Sequence, residues 1–169
     1  MKYAWKLLLL PGLLAIAGCG YHVGFMGHPQ LKTMAVAPAV NETAIYNVAS
    51  DMRMMACEVI TQDGTLKLAD QSIADCILYC TVKDASFADV TGDSFDNDNV
   101  YKPKEWAARV QVDYRVIIPG QAAPLKSGTV TGNSRFQAPI DVEQSRLRAV
   151  RQACYVAAQN IVRAVTEGW

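Results

Sequence analysis

Apolar and polar residues alternate most clearly between Trp106 and Ile118. One side of this stretch is apolar and the other is polar or charged: Trp106, Ala108, Val110, Val112, Tyr114, Val116 and Ile118 against Arg109, Gln111, Asp113 and Arg115. A period of two predicts a β-strand with one buried face. The pattern returns from Leu125 to Phe136 after the turn Pro119-Gly120, so these strands are expected to form a hairpin or a sequential antiparallel ribbon.

Three shorter stretches predict further strands earlier in the chain. Residues 31–40 form the first, with Met34 and Val36 on one face and Pro38 at its end. Residues 66–68 are expected to form a short edge strand. Residues 74–89 form a longer strand whose inner face carries Cys76, Leu78, Cys80 and Val82.

Apolar residues spaced by three and four predict two helices. The first spans residues 44–62, follows the capping residues Asn41 and Thr43, and ends at Asp63-Gly64. Its apolar stripe contains Ala44, Val48, Ala49, Met52, Met55, Ala56, Val59 and Ile60. The second spans residues 141–167, and its stripe contains Leu147, Val150, Cys154, Ala157, Ile161 and Ala164. The methionines of the first helix are interpreted as core packing rather than as a soft-metal site.

The order of these elements predicts an α+β fold. We expect a two-layer sandwich in which two helices pack on one face of a mostly antiparallel sheet of about four strands. The other face would be uncovered and polar, and it would carry Lys83, Arg109, Gln111, Asp113, Arg115, Thr129, Thr131, Asn133 and Arg135. Such a face is either an ordinary solvated surface or the binding site of a partner.

Residues 1–18 have the features of an export signal. Lys2 and Lys6 accompany a short apolar run, and Ala17-Gly18-Cys19 resembles the bacterial lipobox, in which the cysteine receives a diacylglycerol and becomes the new N-terminus. The apolar run is too short and too interrupted for a transmembrane helix. We therefore expect a lipoprotein signal peptide at 1–18, a lipidated tether at 19–30 and a single domain at 31–169, with Cys19 as the lipid-bearing residue.

The charge balance excludes one class of partner. The full chain has 16 basic and 16 acidic residues, and loss of Lys2 and Lys6 with the signal leaves the mature chain slightly acidic. A nucleic-acid ligand would require a surplus of Lys and Arg to neutralise its phosphates. We therefore expect no nucleic-acid partner.

Four cysteines follow Cys19, at positions 57, 76, 80 and 154. Cys76 and Cys80 lie on one predicted strand about 13 Å apart, too far to bond to each other or to share a metal ion. Each is open to pairing with a helix cysteine in an exported protein. Buried free thiols are the preferred interpretation, because cysteine is among the most buried residue types.

The sequence offers no constellation for metal binding or catalysis. His22 and His28 have no suitable neighbouring ligands, and the acidic stretch 91–99 lacks the glycine and glutamate of a calcium loop. A Gly-x-Ser-x-Gly elbow, a phosphate-binding glycine loop and a pair of facing carboxylates are also missing from the sequence. We therefore expect no metal, no cofactor and no enzymatic activity.

The mature chain resembles the lipopolysaccharide-assembly lipoprotein family (LptE-like). The likeness rests on Cys19-Gly20-Tyr21-His22-Val23, on Thr33-Met34-Ala35-Val36-Ala37-Pro38, and on Asn41 and Thr43 before a helix. It continues through the amphipathic strands and the long closing helix, so it covers essentially the whole mature chain.

This resemblance implies an outer-membrane lipoprotein on the periplasmic side. Such a protein plugs the LptD-type β-barrel, helps that barrel assemble and takes part in transport of lipopolysaccharide to the cell surface. In similar lipoproteins, a residue other than aspartate after the cysteine accompanies transfer to the outer membrane, and here that residue is Gly20. The resemblance also implies that basic side chains contact lipopolysaccharide phosphates, whose geometry suits the Arg fork. Strand parity selects Arg109, Arg115, Arg135 and Lys83 for that role.

The opening from Ala35 to Thr43 is also similar to lipoproteins of the curli-secretion and peptidoglycan-synthase-activator types. Such proteins bind a periplasmic enzyme or form a ring instead of entering a barrel. Co-purification from detergent distinguishes the two interpretations, because only the first predicts a large β-barrel partner.

Overall fold

The computed structural model describes residues 31–90, 105–137 and 141–167. Six strands and two helices follow one another within these ranges. They are β1 (Thr33–Val36), β2 (Val40–Asn41), α1 (Val48–Asp63), β3 (Lys67–Leu68), β4 (Cys76–Asp89), β5 (Glu105–Ile117), β6 (Lys126–Gln137) and α2 (Val142–Thr166). The predicted signal, the tether with both histidines, and the acidic stretch 91–99 lie outside the described residues.

The strands form one mixed sheet in the order β3-β1-β4-β5-β6, and β2 pairs with β4 beyond the end of β1. β4, β5 and β6 are antiparallel neighbours, with Cys80 opposite Tyr114 and Tyr114 opposite Gly128. β1 is parallel to both β3 and β4, and β2 is parallel to β4. The predicted α+β class is confirmed, but a mostly antiparallel sheet of about four strands is wrong.

The short strands and α1 explain this difference. The chain leaves β1, passes through α1 and returns as β3, and a helix between two strands allows them to run in parallel. β2 and β3 contain two residues each. A period of two cannot be recognised in so short a segment. The edge position predicted for residues 66–68 is nevertheless correct, because β3 ends the sheet.

Both helices pack on one face of the sheet and enclose a hydrophobic core. Five inward residues of β5 are at most 5% exposed: Ala108, Val110, Val112, Tyr114 and Val116. Trp106, at the start of the strand, is half-buried. Met52 and Met55 of α1 are buried, which confirms their interpretation as core residues, but Met54 is 42% exposed, so the same interpretation is wrong for it. Leu147 was expected in the apolar stripe of the second helix but is 43% exposed.

Gly132 brings α2 unusually close to β6. A Cβ at this position would lie 1.9 Å from the Ala153 carbonyl oxygen and 2.7 Å from the Ala157 nitrogen. The strand therefore requires a residue without a side chain here. The same contact region includes a hydrogen bond from Asn160 Nδ2 to the Thr131 carbonyl oxygen at 3.1 Å.

The first helix begins later than predicted. Asn41 Oδ1 accepts hydrogen bonds from Thr43 N at 2.9 Å and from Thr43 Oγ1 at 2.8 Å. These side chains therefore order the preceding loop instead of capping the helix, which begins at Val48. α1 ends at Asp63, before Gly64 with φ 71°, as predicted. α2 agrees with its predicted span to within one residue at each end. Within the described ranges, neither helix has the length and apolarity needed to span a bilayer.

Candidate functional site

The helices leave one face of β4, β5 and β6 uncovered, and we call it the open sheet face. Its outward residues alternate with the core residues along each strand and are half-buried to exposed. They are Tyr79, Thr81, Arg109, Gln111, Asp113, Arg115, Thr129, Thr131, Asn133 and Arg135. The expected uncovered, largely polar face is therefore present.

A β-bulge at Lys83 changes the second half of β4. Val82 pairs with Val112 and Asp84 pairs with Gln111, so Lys83 has no direct partner on β5. Such an extra residue shifts the alternation of the strand that contains it. After the bulge, Asp84 therefore points to the open sheet face alongside Gln111. No feature of the alternation in the sequence indicated this shift.

Acidic side chains hold Lys83 at the middle of the open sheet face. Lys83 Nζ donates a hydrogen bond to Glu42 Oε2 at 2.5 Å. This bond, together with the negative charges of Glu42 and Asp113, raises the pKa of Lys83. Asp113 Oδ1 accepts a hydrogen bond from Thr129 Oγ1 at 2.6 Å. Because Lys83 already has acidic partners, it is a weaker candidate for binding an external anion than the sequence suggested.

Arg109, Arg115 and Arg135 lie on the open sheet face, but not in one cluster. Arg109 faces Asn133, which places Arg135 one diagonal step away, about 7–8 Å between Cα atoms. Arg115 lies six residues further along β5, about 20 Å from Arg109. Arg135 approaches Glu105 at 3.9 Å. The four predicted basic residues therefore form two groups: Arg109 with Arg135, and Arg115 near Lys83.

The middle of the open sheet face contains a shallow depression of about 450 Å³. Residues of both charge signs line it, together with hydroxyl groups: Glu42, Lys83, Asp113, Arg115, Ser127 and Thr129. A surface with alternating charge complements the mixed polar surface of a protein better than it complements an isolated anion. The depression therefore offers hydrogen-bonding groups of both charge signs.

One corner of the open sheet face is apolar, which the sequence analysis did not predict. Ile77 pairs with Ile117 on β5 and with Ala35 on β1, and Tyr79 follows on β4 with 37% exposure. The turn between β3 and β4 adds Ile73, which is 75% exposed. We call Ile73, Ile77, Tyr79 and Ile117 the apolar corner. The sequence feature that indicates this corner is a pair of unbroken apolar runs, at residues 77–79 and 116–118. Successive strand residues point to opposite faces, so such a run makes both faces of the strand apolar.

The four described cysteines are free thiols; Cys76, Cys80 and Cys154 are buried, in agreement with the preferred interpretation, whereas Cys57 is half-buried. Burial raises the pKa of Cys76 to about 11 and the pKa of both Cys80 and Cys154 to about 12. These thiols stay protonated at neutral pH and are poor nucleophiles. They therefore act as core residues. Cys19, the predicted site of lipid attachment, lies outside the described residues.

No protein-family model matches the chain, and no characterised protein matches its sequence. Solved structures share its fold. XCC0632 from Xanthomonas campestris, of family DUF330, has 12% identity and a TM-score of 0.53, with 86% of this chain and 93% of that chain covered. A minor lipoprotein from Acinetobacter baumannii has 14% identity and a TM-score of 0.51, with 82% and 94% covered. The PelC dodecamer from Paraburkholderia phytofirmans has 13% identity and a TM-score of 0.53, with 85% and 95% covered.

These similarities concern the fold, because the identities are low. They place the chain among α+β domains of a kind that bacterial lipoproteins adopt. A shared fold does not determine a shared function, which depends on the residues of the open sheet face and on the N-terminal sequence.

Proposed function

We propose that this protein is an outer-membrane lipoprotein, anchored through acyl chains on Cys19, that binds an LptD-type β-barrel through its open sheet face. In this role it plugs the barrel, helps it assemble and takes part in lipopolysaccharide transport. The observation that carries the proposal is the uncovered face of three long strands, opposite a face against which two helices pack.

The anchor is supported by the lipobox-like sequence that ends at Cys19. It is also supported by the fold, which a lipoprotein from Acinetobacter baumannii shares. Several acyl chains exceed the two signals that stable attachment to a bilayer needs. Labelled palmitate should enter the wild-type chain and fail to enter a Cys19→Ala variant. Incorporation into that variant would contradict the anchor.

The barrel partner is supported by the chemistry of the open sheet face. The lumen of a large outer-membrane barrel is polar, and the face offers hydroxyl, amide and charged groups of both signs. Arg109 and Arg115 are exposed and enter none of the ion pairs found among the described residues. They are therefore available to acidic groups of a partner or to the phosphates of lipopolysaccharide.

A detergent pull-down with the tagged, lipidated chain tests the partner. We expect a large β-barrel protein to co-purify, and we expect the triple variant Arg109→Glu, Arg115→Glu, Arg135→Glu to lose both this barrel and lipopolysaccharide. The matched control is Arg148→Glu, an exposed arginine on α2, which should retain both. Unchanged binding by the triple variant would show that the open sheet face is not the binding surface.

A second candidate function is a periplasm-facing adaptor of the curli-secretion or peptidoglycan-synthase-activator type. The PelC neighbour supports it, because that protein of the same fold is a dodecamer. The lipidated chain would then assemble with copies of itself, whereas the first proposal predicts one copy per barrel. The mass of the detergent-solubilised particle separates the two. In either role we propose a binding protein without catalytic activity.

A further inference from the structure

The turn between β3 and β4 is fixed to the beginning of β1. In the sheet β1 lies between β3 and β4, so the connection between those strands crosses β1. Asp75 Oδ2 accepts hydrogen bonds at 2.9 Å from the backbone nitrogens of Lys32 and Thr33 and from Thr33 Oγ1. Met34 and Val36 face the helices, so Ala35, between them, points to the open side of the sheet. Ala35 is nevertheless only 1% exposed. We infer that the crossing covers it and therefore lies on the open side.

Ile73 lies in the exposed part of this turn, and local hydrogen bonds order the turn backbone around it. Asp70 Oδ1 accepts from Ser72 N at 2.9 Å and from Ser72 Oγ at 2.7 Å. The backbone nitrogens of Ile73 and Ala74 both donate to the Asp70 carbonyl oxygen, at 3.1 and 3.0 Å. An isoleucine that is 75% exposed on an ordered turn offers apolar area to a partner at little additional cost in conformational entropy.

The apolar corner lies where the predicted tether enters the domain. The tether ends immediately before Leu31 and Lys32, and Lys32 is adjacent to the Asp75 end of the turn. Residues 20–31 reach at most about 40 Å even when fully extended. A lipid anchor at Cys19 therefore keeps this corner within about 40 Å of the leaflet surface.

The charges around the apolar corner suit a lipid headgroup region. Lys32 and Arg115 are exposed, and Arg115 lies directly opposite Tyr79. Long basic side chains of this kind lie along apolar surface and place their charge among headgroups. Of the nearby carboxylates, Asp70 and Asp75 accept the hydrogen bonds of their own turn. Glu42 and Asp113, in the depression beside Tyr79, accept hydrogen bonds from Lys83 and Thr129.

We propose that, in the lipoprotein not yet bound to a barrel, the apolar corner rests on the phospholipid leaflet that holds the anchor. This proposal rests on the anchor half of the proposed function. The contact orients the domain, because β4 runs away from the corner for 14 residues, or roughly 45 Å. The rest of the open sheet face then extends away from the membrane surface and remains accessible to a barrel in the same membrane. Burial of Ile73, Ile77, Tyr79 and Ile117 against acyl chains provides the driving force.

Fluorescence quenching in vesicles tests the contact. The lipidated chain is reconstituted in vesicles of phosphatidylethanolamine and phosphatidylglycerol that contain brominated lipid. An environment-sensitive label is attached to an Ile73→Cys variant or to a Tyr46→Cys variant. Tyr46 is the matched control, because it is 84% exposed but precedes α1, outside the apolar corner. The chain without an added cysteine measures labelling of the native thiols.

We expect several-fold stronger quenching at position 73 than at position 46. Equal quenching at the two positions, or none at position 73 in a chain whose mass confirms acylation, overturns the lipid contact and leaves the anchor intact. An N-terminus without acyl chains overturns both the contact and the anchor. Thermal unfolding of each variant verifies that the label has not disrupted the domain.

Discussion

The two faces of the sheet differ in residue composition, although they belong to the same strands. The covered face consists of small and branched apolar residues that are nearly inaccessible, such as Val110, Val112 and Val116 on β5. The open face carries charged and hydroxyl side chains on the residues between them, including Asp113 and Arg115. We therefore expect the first face to determine stability, and we propose the second as the binding surface. Substitutions on the two faces should therefore separate folding from partner binding.

The largest effect is expected at Gly132 on the covered face. Replacement of Gly132 by Ala places a Cβ 1.9 Å from the Ala153 carbonyl oxygen, so α2 must move away from β6. We expect a loss of about 3 kcal/mol or more in the free energy of unfolding, as in severe overpacking. Urea denaturation measures it.

Gly128→Ala provides the matched control for Gly132→Ala. A Cβ at Gly128 would lie 3.2 Å from the Tyr114 ring and hydroxyl, and this side chain can adjust. We expect a change within about 1 kcal/mol. Similar losses for the two variants would mean that the helix does not approach β6 closely at Gly132.

Two adjacent residues of β4 compare the faces most simply. Leu78 is 1% exposed on the covered face, whereas Tyr79 is 37% exposed on the open face. Leu78→Ala should cost about 3 kcal/mol, because it removes a buried side chain and leaves a cavity. Tyr79→Ala should cost less than about 1 kcal/mol. Chemical denaturation of both variants checks the difference, and a reversal would mean that the strand parity is inverted.

Asp75 makes the turn at the apolar corner dependent on pH. Backbone hydrogen bonds from Lys32, followed by those from Thr33, lower the pKa of Asp75 below 3.8. A lowered pKa in the folded state stabilises the protein above pH 3.8, and the stabilisation is lost as pH falls through the folded value. Asp75→Asn should therefore lower the melting temperature at pH 7, and its difference from wild type should narrow below pH 3.8.

Asp70→Asn is the control for the connection to β1, because hydrogen bonds from Ser72 lower the pKa of Asp70 as well. Asp70 accepts hydrogen bonds from Ser72 within its own turn, whereas Asp75 joins the turn to β1. The Asp70 substitution should lower the melting temperature less. If the two variants behaved alike, the connection from Asp75 to β1 would be unimportant for stability.

The smallest effect is expected for Lys83→Met on the open face. The ion pair with Glu42 is exposed at both ends, and exposed pairs contribute little to stability. The melting temperature should stay close to that of wild type. Barrel binding should fall less than with Arg109→Glu, because Lys83 already has acidic partners. A greater loss of binding for Lys83→Met would reassign the principal contact to the middle of the open face.

The long elements could be predicted from the sequence because they carry many periods. β5 repeats its alternation over 13 residues and α2 its stripe over 25, so their faces were correctly assigned apart from Leu147, which is exposed. β2 and the parallel pairing of β1 depend on contacts distant in sequence, which no local pattern records. The bulge at Lys83 likewise could not be predicted from the sequence, because one extra residue interrupts the alternation and no glycine marks its position.

The candidate site was predicted only in part for the same reason. Alternation identified which side chains leave the sheet on the open face, including Arg109, Arg115 and Arg135. It gave no information on their distances across strands or on the pairing of Lys83 with Glu42, 41 residues away in sequence. The apolar corner was not predicted, because Ile77 and Tyr79 lie on the face of β4 opposite the apolar stripe that defines its buried side. A continuous apolar run at a strand end therefore predicts apolar surface on both faces of the sheet.

Site-specific photo-crosslinking in cells tests the central claim most directly. A photoreactive amino acid replaces Gln111 on the open face or Arg148 on α2. The account predicts an adduct with a large outer-membrane β-barrel from position 111 and none from position 148. An adduct of that barrel from position 148 alone, or none from either position in a lipidated and folded chain, would contradict it.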